Sequence, residues 1–116
     1  MPHCVIECSR SLLGPITGDE LVGLVHDTAM ASGLFEVGDV KVRLSVYDHF
    51  TVGGKNADFV HLIFYVLAGR SDEQKRELSK TVVRALLERL PEVPSLSMDV
   101  RDMRREAFSN RKNCLQ

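Results

Sequence analysis

Pro2 carries the most reactive chemistry this chain can offer, because removal of Met1 turns its ring nitrogen into a secondary amine at a chain end. Such an amine is both a base and a nucleophile, and a small residue in this place favours removal of the initiator by methionine aminopeptidase. A second segment gives the feature weight. Leu67-Ala68-Gly69-Arg70-Ser71-Asp72-Glu73-Gln74-Lys75 places a cation where a strand passes into a helix. The first turn of a helix favours an anion through its free N–H groups and its dipole, so Arg70 is a candidate holder of a substrate carboxylate. Together the two segments point to proton transfer by proline.

An ordinary α-amino group titrates at about 7.7 to 8.0, and a secondary amine is more basic. Partial burial and a nearby guanidinium both disfavour the ammonium form and move the value towards neutrality, where proton shuttling is efficient. Lys41 and Arg43 alternate on the polar side of a strand-like run. They are candidates for binding a second carboxylate or stabilising a developing dienolate, which suggests a small dicarboxylate as substrate. His3, His61 and Glu7 show no tight metal-ligand spacing, so no metal is expected. Cys4 and Cys8 lack a partnered base and read as small core residues.

These groups need elements to position them. Residues 2 to 8 are short and rich in apolar and β-branched types, and Ser9-Arg10-Ser11 and Gly14-Pro15 punctuate their end. Thr17-x-x-Glu20 has the form of a capping box and opens a helix with Leu21, Leu24, Val25, Thr28 and Ala29 at helical spacing as far as Ser32-Gly33. From Val40 to Asp48 the pattern alternates, as a half-buried strand does. After Gly53-Gly54-Lys55-Asn56, the run Phe59 to Ala68 is apolar at nearly every position and predicts a strand buried on both faces. Ser71-x-x-Gln74 opens a second helix whose stripe of Leu78, Val82, Ala85, Leu86 and Leu90 stops before Pro91. Ser95 to Met103 alternates again.

The order is strand, helix, strand, twice over, in units spanning 2–48 and 59–103 with a tail at 104–116. Each unit is a right-handed βαβ crossover. The predicted fold is α/β in a two-layer α+β arrangement, a four-stranded mixed sheet with two helices on one face, forming a single domain over residues 1–116. If the first strands of the two units pair antiparallel at the centre, Pro2 faces Arg70. The bare sheet face should then expose a large apolar patch, and another copy of the chain is the simplest cover, so a closed homo-oligomer is expected. Arg10 holds in the first unit the place Arg70 holds in the second, but the matching strand start is Val60 rather than a free proline, so that corner should be inert.

The chain has 116 residues, room for one compact domain. Its 15 basic and 16 acidic residues give a net charge of -1, which offers no strong field for nucleic acid or an anionic membrane. No apolar run approaches the roughly 20 residues of a membrane span, and a cytoplasmic location is expected. Three cysteines are an odd number, and Cys4 and Cys8 lie about 13 Å apart on an extended strand, too far for a disulfide. Three free thiols in a reducing compartment are expected.

Read together, Met1-Pro2-His3, Glu7-Cys8-Ser9, Phe59-Val60-His61 and Ala68-Gly69-Arg70-Ser71 make the chain resemble the 5-carboxymethyl-2-hydroxymuconate isomerase family of the tautomerase superfamily, over nearly its whole length. The second half is also similar to the shorter 4-oxalocrotonate tautomerase chains, through Gly69 to Lys75 and Asp102-Met103. The resemblance implies a tautomerase-like (MIF-like) homotrimer with active sites near subunit boundaries and no cofactor. It implies that Pro2 moves a proton between oxygen and carbon, and that the substrate is an aromatic-degradation intermediate with several carboxylates. Arg70 falls on the family's carboxylate-binding arginine. The family's strand-two arginine aligns with Lys41, with Arg43 beside it, a departure that touches substrate identity because lysine cannot form the same bidentate fork. Phe108 in the tail falls where it would wall the pocket, and Phe50 stands where the family has another aromatic, either lining the site or anchoring its loop. The alternatives are a diverged dehalogenase or decarboxylase using an acid near Pro2, for which Glu7 is the candidate, and a non-catalytic trimeric interaction protein with Met1 retained.

Overall fold

The computed structural model describes residues 2–116, so the expected loss of Met1 concerns a residue outside them. The chain runs β1 (His3–Ser9), α1 (Gly18–Ala31), β2 (Lys41–Tyr47), β3 (Phe59–Leu67), α2 (Asp72–Arg89) and β4 (Ser95–Met103). A 3-10 turn at Arg10–Leu12 follows β1, and the tail holds another at Arg105–Ala107 before a single helical turn, α3 (Arg111–Cys114).

The strands form one sheet in the order β2-β1-β3-β4. β1 is parallel to β2 and β3 to β4, as two βαβ units require, while β1 and β3 pair antiparallel at the centre with His3 opposite Tyr65 and Glu7 opposite His61. This register brings the start of β1 beside the end of β3. Because β2 is parallel to β1 and β4 to β3, the start of β2 and the end of β4 lie at the same sheet end.

Both helices begin with the capping boxes expected from the sequence. The Thr17 hydroxyl accepts from the Glu20 N–H and the Ser71 hydroxyl from the Gln74 N–H, each answered by the return bond from the Glu20 or Gln74 side chain. Leu21, Val25 and Ala29 of α1 and Leu78, Val82 and Leu86 of α2 bury against Cys4, Ile6 and Cys8 of β1 and Val60, Leu62, Phe64 and Val66 of β3. Alternate residues of the central strands thus point at one helical layer.

The other sheet face differs from the expected broad apolar patch. Val5 and Ile63 sit opposite each other at its centre, but Arg43 flanks Val5 and Asp99 flanks Ile63. Glu7 accepts from the Tyr47 hydroxyl, the His61 ring is bonded to Ser97, and Arg101 is paired with Asp99. The two edge strands alternate and put their polar residues there, so the apolar strip belongs to the central strands alone. β3 itself is fully buried only at its even positions, because one of its faces has no covering layer in the single chain.

Candidate active site

Pro2 is buried at the sheet end that receives β2, the end of β3 and the start of α2. Its carbonyl accepts from the Lys41 N–H at 3.1 Å, which continues the β1–β2 ladder and fixes the proline against the first residue of β2. By alternation Pro2 continues the helix-facing set Cys4, Ile6 and Cys8. Buried on that side, an amine at this nitrogen would be partly desolvated, which disfavours its charged form.

Arg70 reaches the same sheet end from the corner after β3. Its Nη2 donates to the Leu34 carbonyl at 2.9 Å, and its guanidinium lies 4.9 Å from the centre of the Phe35 ring. Phe35 in turn stacks on Phe64 of β3 at 5.4 Å. Nη1 also donates to the Leu67 carbonyl at 3.5 Å, so the aromatic floor and two backbone carbonyls fix the guanidinium and leave Nε–H and one N–H of each Nη for an anion. Phe35 is a site residue with no advance signal beyond being a lone aromatic in the Leu34-Phe35-Glu36-Val37 loop, where no periodicity assigns it a face.

The corner itself is braced. Gly69 adopts φ +136°, a conformation L residues rarely take, and a side chain there would approach the Arg105 guanidinium. The Ala68 N–H donates to the Met103 carbonyl, and Arg105 Nε donates to the Ala68 carbonyl at 2.7 Å. Lys75 lies 3.2 Å from Asp102 and 3.3 Å from Asp72, and these carboxylates hold its pKa above the ordinary lysine value. Lys75 and Asp102 thus tie the first turn of α2 to the end of β4. The anion attraction expected of the α2 N-terminus is partly met within the chain, by the Ser71 cap and by Asp72 and Glu73 in the first turn, so Arg70 is the stronger anion holder at this corner.

Lys41 and Arg43 project on the sheet face away from the helices, with His3 opposite Lys41. Lys41 Nζ donates to the Asp39 carbonyl at 2.7 Å, and Arg43 Nη1 lies 3.2 Å from His3 Nδ1. A guanidinium can only donate, so His3 Nδ1 accepts and its proton sits on Nε2. Burial first, then Arg43 and Lys41, lower the His3 pKa, which keeps a neutral imidazole between cations. None of Lys41, Arg43, Arg70 and Arg105 has a carboxylate within salt-bridge distance among the described residues. Four cations without a carboxylate partner thus stand toward the sheet end at which Pro2 lies, in a chain of net charge -1.

The aromatic candidates separate. Phe108 is half-buried in the tail beyond Arg105, and its carbonyl accepts from the Asn113 amide. Phe50 packs on Phe59 at 5.5 Å, at the start of β3. That is the opposite end of β1, about 20 Å from Pro2 at strand rise, so within one chain Phe50 anchors its loop and does not meet Pro2. At that far end Arg10 is paired with Asp48, whose carboxylate pKa it lowers, while the Ser9 and Ser11 hydroxyls donate to Asp58. Burial raises the Cys4 thiol to about 12 and, with Asp58 nearby, raises Cys8 as well; both are core residues, as expected. No cluster of three or more His, Cys, Asp or Glu capable of holding a metal occurs among the described residues, and none of the described helices is long and apolar enough to cross a membrane.

Residues 2–116 match the family model for 5-carboxymethyl-2-hydroxymuconate isomerase. The 5-carboxymethyl-2-hydroxymuconate Delta-isomerase of Escherichia coli is 30% identical over 97 residues, covering 76% of this chain and 77% of that protein. A 5-carboxymethyl-2-hydroxymuconate isomerase from Deinococcus radiodurans R1 superimposes with a TM-score of 0.81 over 95% of this chain and 88% of that chain, at 22% identity. Native fused 4-OT superimposes with a TM-score of 0.79 over 94% of this chain and 92% of that chain, at 19% identity. These two solved structures share the four-stranded mixed sheet and its helical layer. The chain therefore belongs to the 5-carboxymethyl-2-hydroxymuconate isomerase family, and it is an isomerase of the tautomerase superfamily.

Proposed function

We propose that this isomerase moves a proton between enol oxygen and carbon in a 2-hydroxymuconate-like dicarboxylate, without a cofactor and with the amino-terminal nitrogen of Pro2 as the base. The observation that carries the reading is the gathering of Pro2, buried, and the carboxylate-free cations Lys41, Arg43 and Arg70 at one sheet end. Its activity would be that of the Escherichia coli relative, 5-carboxymethyl-2-hydroxymuconate Delta-isomerase.

In the first step the Pro2 nitrogen takes the enol hydroxyl proton and becomes an ammonium, while the oxygen's electron pair forms the C=O bond and the conjugated double bonds shift by one position. In the second step the ammonium returns that proton to the carbon at the far end of the shifted system, which restores the neutral amine. Nothing is oxidised or reduced. Arg70 holds the carboxylate next to the reacting oxygen, and Lys41 or Arg43 offsets charge along the dienolate. Phe108 closes the pocket from the tail side. The working assembly is a homotrimer in the cytoplasm, supported by the trimeric form of a related fused 4-OT, which superimposes at a TM-score of 0.77, and by the uncovered Val5–Ile63 strip. Its role would be in aromatic-compound breakdown.

Water activation for dehalogenation or decarboxylation draws no support from the site, because Glu7 stands five positions along β1 from Pro2, about 16 Å at strand rise, and is bonded to Tyr47. The test is the intact mass of the purified native chain followed by ultraviolet monitoring of 2-hydroxymuconate ketonisation. A mass lacking methionine together with turnover supports the reading. A mass lacking methionine with no turnover of any 2-hydroxy-dienoate overturns it, and retained methionine without turnover favours the non-catalytic interaction protein.

A further inference from the structure

The tail follows a path that its sequence does not announce. It leaves β4 at one edge of the sheet, bonds through Arg105 to Ala68 beyond β3, and ends with α3 against Lys41 at the start of β2, the other edge. β1 lies between β3 and β2, so the intervening residues 106–110 pass across the sheet end at which Pro2 sits. The span from β4 to β2 is three strand spacings, about 14 Å, within the reach of the seven residues 104–110. Half-buried Phe108 lies midway along this strap.

Where the strap arrives, Lys41, Asn110, Arg111, Lys112 and Leu115 line an open cleft of about 480 Å³, within the range of small-molecule sites. Leu115 is 73% exposed, an unusual state for a leucine, and supplies an apolar wall. Arg111 and Lys112, like Lys41, have no carboxylate partner among the described residues, whereas Arg104 on the same tail is paired with Glu106. Cations bordering an apolar slot suit a flat conjugated chain that ends in a carboxylate.

We propose that Arg111 and Lys112, with Lys41, form the subsite for the carboxylate distal to the reacting enol, and so determine the preference for dicarboxylates over monocarboxylates. This rests on the proposed tautomerase chemistry, with Arg70 holding the proximal carboxylate. The strap delivers the two cations to the Lys41 edge of the sheet end at which Pro2 sits.

The experiment compares the full chain with R111A/K112A, using 2-hydroxymuconate and the analogue that lacks the distal carboxylate. Two partly exposed charge contacts predict a KM about tenfold higher for the dicarboxylate, with kcat retained and the monocarboxylate unaffected. An equal loss for both substrates, or no loss for either, overturns the proposal. K80A/R84A removes the same charge from α2, and an equal effect there would mean long-range attraction and also overturn it. Titration with cis,cis-muconate, which cannot tautomerise, reads the subsite separately from turnover. About tenfold weaker binding by R111A/K112A supports the subsite even if no substrate is turned over, and unchanged binding overturns it while leaving the tautomerase reading intact. Thermal melting of both variants confirms that they are folded.

Discussion

The Arg70 guanidinium lies on the face of Phe35, 4.9 Å from the ring centre, and Phe35 is stacked on Phe64 of the central strand β3. The corner cation is thus referenced to the middle of the sheet through two aromatic rings. Phe35→Leu keeps an apolar plug but removes the face on which the guanidinium rests. A cation–π contact contributes about 0.5 to 2 kcal/mol, so kcat/KM should fall roughly 2- to 30-fold. Steady-state kinetics alongside thermal melting would check this, and an unchanged kcat/KM would mean that Arg70 needs no floor.

Pro2→Ala exchanges the secondary amine for a more flexible primary one. Loss of a positioned general base typically costs 10² to 10⁴ in rate, and kcat should fall by about that order. The Lys41 N–H bonds to the carbonyl of residue 2 and not to its ring, so the β1–β2 ladder should survive, with a far-ultraviolet circular dichroism spectrum like that of the wild type.

The pKa of His3 is lowered, so between that folded value and the unfolded value of about 6.5 the unfolded chain binds more protons than the native one. In that window stability rises with pH. As pH falls from neutrality through 6.5 towards the folded pKa, His3's contribution is lost, and below it there is no further change. Urea midpoints measured from pH 7.5 down to 5 should show this decline, and His3→Gln should reduce it. A slope unchanged by the substitution would assign the decline to other groups.

Cys4 and Cys8 are buried with raised thiol pKa values, whereas Cys114 is exposed. A thiolate-seeking reagent at pH 8 should therefore modify one thiol rapidly in the native chain and three after denaturation. Rapid reaction of a second native thiol would show that the β1 core opens on the assay timescale.

Arg70→Ala and Arg10→Ala make a matched pair. Arg70→Ala should lower kcat/KM by about 10- to 150-fold, the range for losing a charged hydrogen bond to substrate. Arg10, exposed and paired with Asp48 at the other end of the sheet, should leave kcat/KM unchanged when replaced. A comparable kinetic loss from Arg10→Ala would place chemistry at the wrong corner.

Much of the architecture is legible in the sequence because local signals and packing agree. Both capping boxes form where Thr17-x-x-Glu20 and Ser71-x-x-Gln74 predict them. Alternation from Val40 to Asp48 and from Ser95 to Met103 identifies the two edge strands, observed at Lys41–Tyr47 and Ser95–Met103, and the antiparallel central pair brings Pro2 and the Arg70 corner to one end. The partners of Arg70 were not legible, because Leu34 and Phe35 act from a loop without periodicity. The strap was not legible either, since its course depends on Arg105 meeting a backbone carbonyl after β3. The expected apolar patch was overdrawn because the run Phe59 to Ala68 shows β3 as apolar without showing which edge residues flank it.

The two βαβ units repeat a scaffold but not its reactive corner. Arg10 is closed off by Asp48, and β3, the first strand of the second unit, begins inside the chain at Phe59, where the backbone nitrogens are amides. Under the proposed chemistry, then, the number of reaction centres is counted by chain starts and not by copies of the motif. A permuted polypeptide opened before β3, with proline placed first, would move the chain-terminal amine to the Arg10 corner and silence the natural one.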